Sequence, residues 1–318
     1  MKYKMKGKTL LSYIVCLVIL VILYFWIDKS SLKLLLNVNL LTISVALLLA
    51  MLIYFTSGLE LYFIRKQFGV SLNLVDIVLL PIVGNLWSFV FPFQGNLLFT
   101  TLFFKQKYNM KVSESFSISI YLYLITLCFT GLFGLLFAFY YKMLFTWLGL
   151  FSLIFLLNPI FVYIAGQMSK IIGQTQIKVL NKIQTFITSI IDNTGKLWQD
   201  LRFTIIILTI NLIRIFLSIV WFYWISKSLG FNLSFVAVGL ISLIMSVSII
   251  IKITPDNLGV AQVIAGSFMG LVGAPSQQAV MITLFASATT MILIFTIGLY
   301  GNFHYFKTIN FGSLIHRI

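Results

Sequence analysis

Long apolar runs alternate with short polar and basic stretches along the whole chain. Residues 10–27 and 40–64 are runs of about twenty, the length at which a helix crosses about 30 Å of hydrocarbon. A short polar loop carrying Asp28, Lys29 and Lys33 joins them, and Arg65 and Lys66 close the second. A longer apolar segment, 77–104, is interrupted by Phe91-Pro92-Phe93-Gln94-Gly95-Asn96 and followed by Lys105, Lys107 and Lys111. Its two limbs are too short for two ordinary spans, which predicts a re-entrant pair of half-helices. Residues 116–141 and 144–166 read as an outward and a returning crossing. In 167–200, Leu180, Ile183, Ile187, Ile190 and Ile191 recur at helical spacing opposite Lys178, Asn181, Lys182, Thr185 and Asp192. This predicts a helix on the cytoplasmic membrane surface, with a partner-binding helix or a solvated connector as the alternatives. Residues 203–225 cross outward again. Then 233–251 leads into a second break, Lys252-Ile253-Thr254-Pro255-Asp256-Asn257-Leu258-Gly259, followed by a small-residue helix over 260–272 and a final span over 276–303.

The fold class is therefore an all-α polytopic membrane protein with about six full spans plus two broken, re-entrant hairpins, or eight spans. A transmembrane barrel would show alternating segments of about ten residues instead. The organisation is a single integral membrane domain over 1–318: a first half 10–166, the amphipathic helix 167–200, a second half 203–303 and a short tail 304–318. If both breaks are re-entrant they enter from opposite sides, as an inverted repeat produces; no residue-by-residue repeat is visible.

Composition agrees: 60% of residues are apolar and 9% charged, far from a soluble globular domain. The formal charge of +15 would suggest nucleic acid in a soluble protein. Here most Lys and Arg lie between apolar runs, where they report orientation and contact with anionic headgroups. Their distribution places both termini in the cytoplasm and the chain in the inner membrane. Lys2, Lys4, Lys6 and Lys8 before 10–27 resemble a signal sequence. That apolar stretch exceeds the usual length of about 7–15 and no small-residue cleavage site follows, so it reads as a retained span. Cys16 and Cys128 sit in apolar runs as small core side chains.

The expensive polar residues are the candidates for chemistry. Pro92, Gln94, Gly95 and Asn96 combine freed backbone groups with neutral amides, and interrupted backbone at membrane depth usually lines a wet pathway; the alternative is a proline-kinked helix in the bundle. At the second break, Asp256 or Asn257 can cap the next helix, whose N-terminus with Gly259 would favour a phosphate. Lys252 either contacts the same anion or marks topology at the surface. Arg214 lies inside a span with Asn211 on the same helical face, suited to bidentate phosphate contact or to pairing with Glu60 or Asp256. Gly266, Gly270 and Ala274 form a close-packing seam. The only histidines, His304 and His316, lie in or near the tail, and no phosphate loop, nucleophile elbow or D-x-D pair is present. No catalytic group, metal or cofactor is expected.

The two breaks resemble those of the lysylphosphatidylglycerol synthase transmembrane-region family, the flippase module of multiple peptide resistance factors, which also occurs as a stand-alone protein. In that family the first break typically carries a proline, an arginine and Gly-Glu, and the second a proline and glycines followed by Glu. Here Gln94 stands near the arginine, Asn96 replaces the first Glu and Gln262 the second, so a lysyl-lipid substrate and proton coupling through these positions are disfavoured. The resemblance implies translocation of a phospholipid or polyprenyl-phosphate-linked glycan precursor in cell-envelope or surface-polysaccharide biogenesis, with Gln94, Asn96 and Gln262 bonding the headgroup. Its partners would be membrane lipids, a lipid-linked substrate and a second copy or envelope-biosynthesis proteins, not nucleic acid. A membrane-embedded glycosyltransferase, or an accessory subunit of one, is the alternative.

Overall fold

A computed structural model describes residues 2–27, 29–91, 94–140, 142, 153, 160, 164, 178–248, 254–271 and 274–308, and these hold helices and no strand. Helix α1 (Lys2–Trp26) and the short α2 (Lys29–Leu36) lead to α3 (Leu40–Gln67). The first hairpin is α4 (Leu74–Val90) and α5 (Gly95–Tyr108), followed by α6 (Val112–Tyr140). After α7 (Lys178–Gln199) and α8 (Leu201–Ser228), α9 (Phe235–Ser248) and α10 (Val260–Leu271) flank the second break. Helix α11 (Ser276–Leu293) passes through a π-helical turn, Ile294–Gly298, into α12 (Leu299–Thr308). Four stretches are long and apolar enough to cross a membrane: Leu40–Gln67, Val112–Phe137, Leu201–Ser228 and Ser276–Tyr305. The span expected over 144–166 lies almost wholly outside the described residues.

Two stops of the same kind set up the hairpins. At the end of α3, Gly69 takes φ 73°, its N–H donates to Lys66 O and the Val70 N–H donates to Arg65 O, both at 3.0 Å. At the end of α8, Gly230 takes φ 77°, with matching bonds to Lys227 O and from Phe231 N–H to Ser226 O. This pair of bonds uses carbonyls a helix end would otherwise orphan, and the left-handed position favours glycine. Each glycine is followed at the same interval by the cap of the next helix. Asn73 Oδ1 accepts the Asp76 N–H at 2.7 Å and Ser234 Oγ accepts the Ala237 N–H at 3.2 Å. The series span, glycine stop, capped half-helix, break, half-helix, span thus occurs twice, over α3–α6 and over α8–α11.

The chain divides into two compact units, one of Met1–Ser57, Val78–Asn96 and Ile213–Ile318, the other of Gly58–Ile77 and Leu97–Leu212. In the first, Gln277 of α11 donates to Trp26 O at 3.5 Å and α2 packs on α11, so α11 begins on the side where α1 ends. Helix α10 packs between α9 and α11, and the Cβ positions of Gly266 and Gly270 would lie 2.7 Å from Val280 Cγ2 and Ser276 Oγ. These glycines form the expected seam. Ala274 does not extend it, because α10 stops at Leu271 and the Ala274 N–H turns back to Met269 O. Helices α9 and α10, about 21 and 18 Å long, therefore return to the side they start from, a re-entrant hairpin.

In the second unit, Lys107 Nζ lies 2.7 Å from Asp76 Oδ2, joining the outer ends of α5 and α4. Burial alone would lower the Lys107 pKa, but the hydrogen bond and charge of Asp76, with Tyr108, outweigh it and raise it. Helix α7 realises the amphipathic stretch from Lys178 onward, and 167–177 lies outside the described residues. Its Ile190, Thr194 and Leu197 are buried on the face packed against α6, with Tyr121 and Trp198 edge to face at 5.1 Å. Phe186 and Ile187 stay exposed.

Candidate functional site

The first break turns on two glycines. A Cβ on Gly95 would sit 2.1 Å from Trp87 O, and one on Gly84 would sit 2.1 Å from Asn96 Oδ1, so the limbs touch backbone to backbone. Gln94 makes the turn at φ 79°. The Asn96 N–H donates to Ser88 Oγ at 3.1 Å, supplying one of the donors that a helix start leaves open. Its side-chain amide donates to Asn85 Oδ1 at 3.5 Å, and Asn85 Nδ2 donates to the Tyr54 hydroxyl at 3.0 Å. Trp87 stacks on Phe91 and donates to Asn302 Oδ1 at 3.0 Å.

At the second break Pro255–Asn257 forms one 3₁₀ turn, with Asp256, Asn257 and Gly259 at φ 45°, 63° and 85°. Neither Asp256 nor Asn257 holds the capping position of α10. Gly259 does, and Gln262 Oε1 accepts its N–H at 2.6 Å, the return half of a capping box. The same side chain is fully buried and donates to Ser287 Oγ at 2.8 Å, so its amide fixes α10 to α11. Asn257 donates to Ser248 O at 2.6 Å, while its Oδ1 is buried without a hydrogen-bond partner.

Both breaks lie at mid-depth. Tyr54 occupies the middle of α3, and Gly259 packs against Ile19 and Cys16, in the middle of the apolar part of α1. Cys16 Sγ also donates to Leu258 O at 3.6 Å. Asp256 lies within electrostatic reach of the Tyr54 phenol. Gln94, Gly95 and Asn96 from one break thus meet Asp256, Asn257 and Gly259 from the other around Tyr54 and Asn85, with Gln94, Asn96 and Asp256 half-buried. Polar side chains here are amides, hydroxyls and one carboxylate, which can hydrogen-bond a headgroup as donor and acceptor. Among the described residues no three His, Cys, Asp or Glu side chains gather as a metal would need.

The remaining predicted residues divide. Pro92 and Lys252 lie outside the described residues. Arg214 is half-buried on α8. Asn211, one turn away, belongs to the second unit, where it is fully buried and donates to Glu60 Oε1 at 3.0 Å. The sequence reading missed Tyr54 and Asn85, neutral residues inside apolar runs. It also read Arg65 only as a topology marker. Arg65 is in fact fully buried, with Phe104 3.5 Å beneath its guanidinium and bonds to Ser115 Oγ and Met110 Sδ.

Residues 12–298, nearly the whole chain and including both breaks, match the lysylphosphatidylglycerol synthase TM region. The chain belongs to that family. No curated protein and no solved structure matches it. As a member of the lysylphosphatidylglycerol synthase TM region family the chain is a multi-pass membrane protein of the flippase and synthase-like kind.

Proposed function

We propose that the protein is a translocase that moves a phospholipid or polyprenyl-phosphate-linked glycan precursor across the cytoplasmic membrane, in cell-envelope or surface-polysaccharide biogenesis. The observation that carries this reading is the meeting of two interrupted helices around Tyr54 and Asn85 at mid-depth. Polar backbone and amides there are costly in lipid, and a lipid headgroup crossing the membrane needs such groups along its path. The hairpins open to opposite sides, so small movements of either would expose the site to one leaflet at a time. Asn85, Asn96 and Asp256 would take the headgroup hydroxyls, and Arg214 and Lys252 its phosphate. Gln262 would hold the second break in shape. The protein acts without catalysis and without a cofactor, with both termini cytoplasmic and membrane lipid as its main partner.

A cysteine placed at Asn96, with Cys16 and Cys128 replaced by alanine, tests the wet path. A membrane-impermeant thiol reagent should label it despite its mid-depth position. If a surface control at Lys196→Cys labels and Asn96→Cys does not from either side, the path is absent.

A further inference from the structure

The second unit buries a carboxyl group that the site at the breaks does not use. Glu60 is 1% exposed, on α3 about 10 Å before its C-terminal end, within a membrane span. Helices α8 and α6 bring neutral groups to it. Asn211 Nδ2 donates to Glu60 Oε1 at 3.0 Å and reaches Thr126 Oγ1 at 3.3 Å. The titratable residues one helical turn from these partners are Arg214 on α8 and Tyr123 on α6. Arg65, further along α3, is turned to Met110, Ser115 and Phe104.

Asn211 is fully buried, yet its Oδ1 has no hydrogen-bond partner. A buried amide rarely leaves its acceptor unused. That acceptor belongs to the amide whose nitrogen already bonds the carboxyl, and a primary amide and a carboxylic acid pair through two hydrogen bonds, N–H to C=O and O–H to C=O. An ionised Glu60 provides only the first and sets negative charge beside the unused amide oxygen. A proton on Glu60 Oε2 provides the second.

We infer that Glu60, with Asn211 and Thr126, is a proton-binding site within the membrane, occupied in the conformation described here. The proton adds to Oε2 and no other bond changes. Sliding α8 along α3 would replace the Asn211 amide with its neighbour one turn on, Arg214, whose charge favours the carboxylate and expels the proton. The site therefore links movement of α8 to proton uptake and release, the use to which buried carboxyls are put in pumps and transporters. This is separate from the substrate site at the breaks and does not depend on which lipid is carried.

Infrared difference spectra of the purified full-length protein in lipid, titrated around neutral pH, test it. With seven Asp and Glu in the chain, a protonated-carboxyl C=O band can be assigned by substitution. The wild type should show such a band at neutral pH, Glu60→Gln should lose it, Glu60→Asp should shift it and Asp256→Asn should keep it. No band in the wild type, or one that survives Glu60→Gln, overturns the inference. So does loss of the band in Asp256→Asn. If Glu60→Gln does not fold, a band unshifted in Glu60→Asp overturns it as well.

Discussion

Replacing Gly95 by alanine probes the tightest contact at the first break. The new Cβ would lie 2.1 Å from Trp87 O, where ordinary contact begins at 3.4 Å. The obstruction is main chain on both sides, so α4 and α5 must part by about 1.3 Å at the tip, the difference between those two distances. Such overpacking costs about 3 kcal/mol at its upper end, and alanine's better helix propensity returns about 1 kcal/mol. The net loss is about 2 kcal/mol, or about 4 °C in the unfolding midpoint for a chain of this size. Gly84→Ala meets the Asn96 side chain at the same 2.1 Å, but an amide can swing aside. It forfeits about 1 kcal/mol of hydrogen bonding and regains about as much in propensity, leaving stability nearly unchanged. Thermal unfolding of the two variants in detergent, followed by tryptophan fluorescence, should rank Gly95→Ala well below Gly84→Ala. The reverse order, or a Gly95→Ala indistinguishable from wild type, would refute the backbone contact on which the hairpin tip depends.

A glycine with room around it should behave oppositely. Gly195, inside α7, has nothing within 4 Å of its Cβ position, so Gly195→Ala should raise the midpoint, with a gain of about 1 kcal/mol. Gln262→Leu strips the Gly259 N–H and Ser287 of their partner and should cost about 2 kcal/mol, read as a lower midpoint. Lys107→Met leaves the carboxylate of Asp76, 1% exposed, without its ammonium. Loss of a partner from a buried pair costs about 3–5 kcal/mol, and with Lys107 itself 34% exposed solvent screening reduces this to about 2 kcal/mol. Because folding raises the Lys107 pKa, the pair's contribution is full below its ordinary 10.5. It fades as pH rises through the higher folded value, so wild type and Lys107→Met should converge in alkaline unfolding curves.

The spans were readable because a lipid-facing helix must be apolar over its whole length, and α3, α6, α8 and α11 are. The two breaks were readable for a related reason, since Pro92-Phe93-Gln94-Gly95-Asn96 and Pro255-Asp256-Asn257-Leu258-Gly259 stand out against apolar neighbours. Less visible was the repeat. Its mark is not similarity of side chains but two glycine stops, Gly69 and Gly230, each followed at the same interval by a cap, Asn73 and Ser234. Capping accepts several residue types, so the geometry recurs where identity does not. The charges misled in a different way. Arg65 and Glu60 sit near a span's end, where sequence alone suggests a wet surface, yet α3 carries both into packed surroundings. Asn211 and Arg214 share a helix face, but their environments differ: one side chain is fully buried and the other half-buried.

Translocation by the purified protein tests the central claim most directly. Sealed vesicles holding a fluorescent phospholipid, or a labelled polyprenyl-phosphate sugar, report the fraction that has changed leaflet when a membrane-impermeant quencher or enzyme is added outside. The expected result is faster exchange of at least one such lipid than in protein-free vesicles, slowed at least several-fold by Asn96→Leu with the protein still folded. Exchange at the protein-free rate for every phospholipid and polyprenyl-phosphate sugar offered would contradict the account.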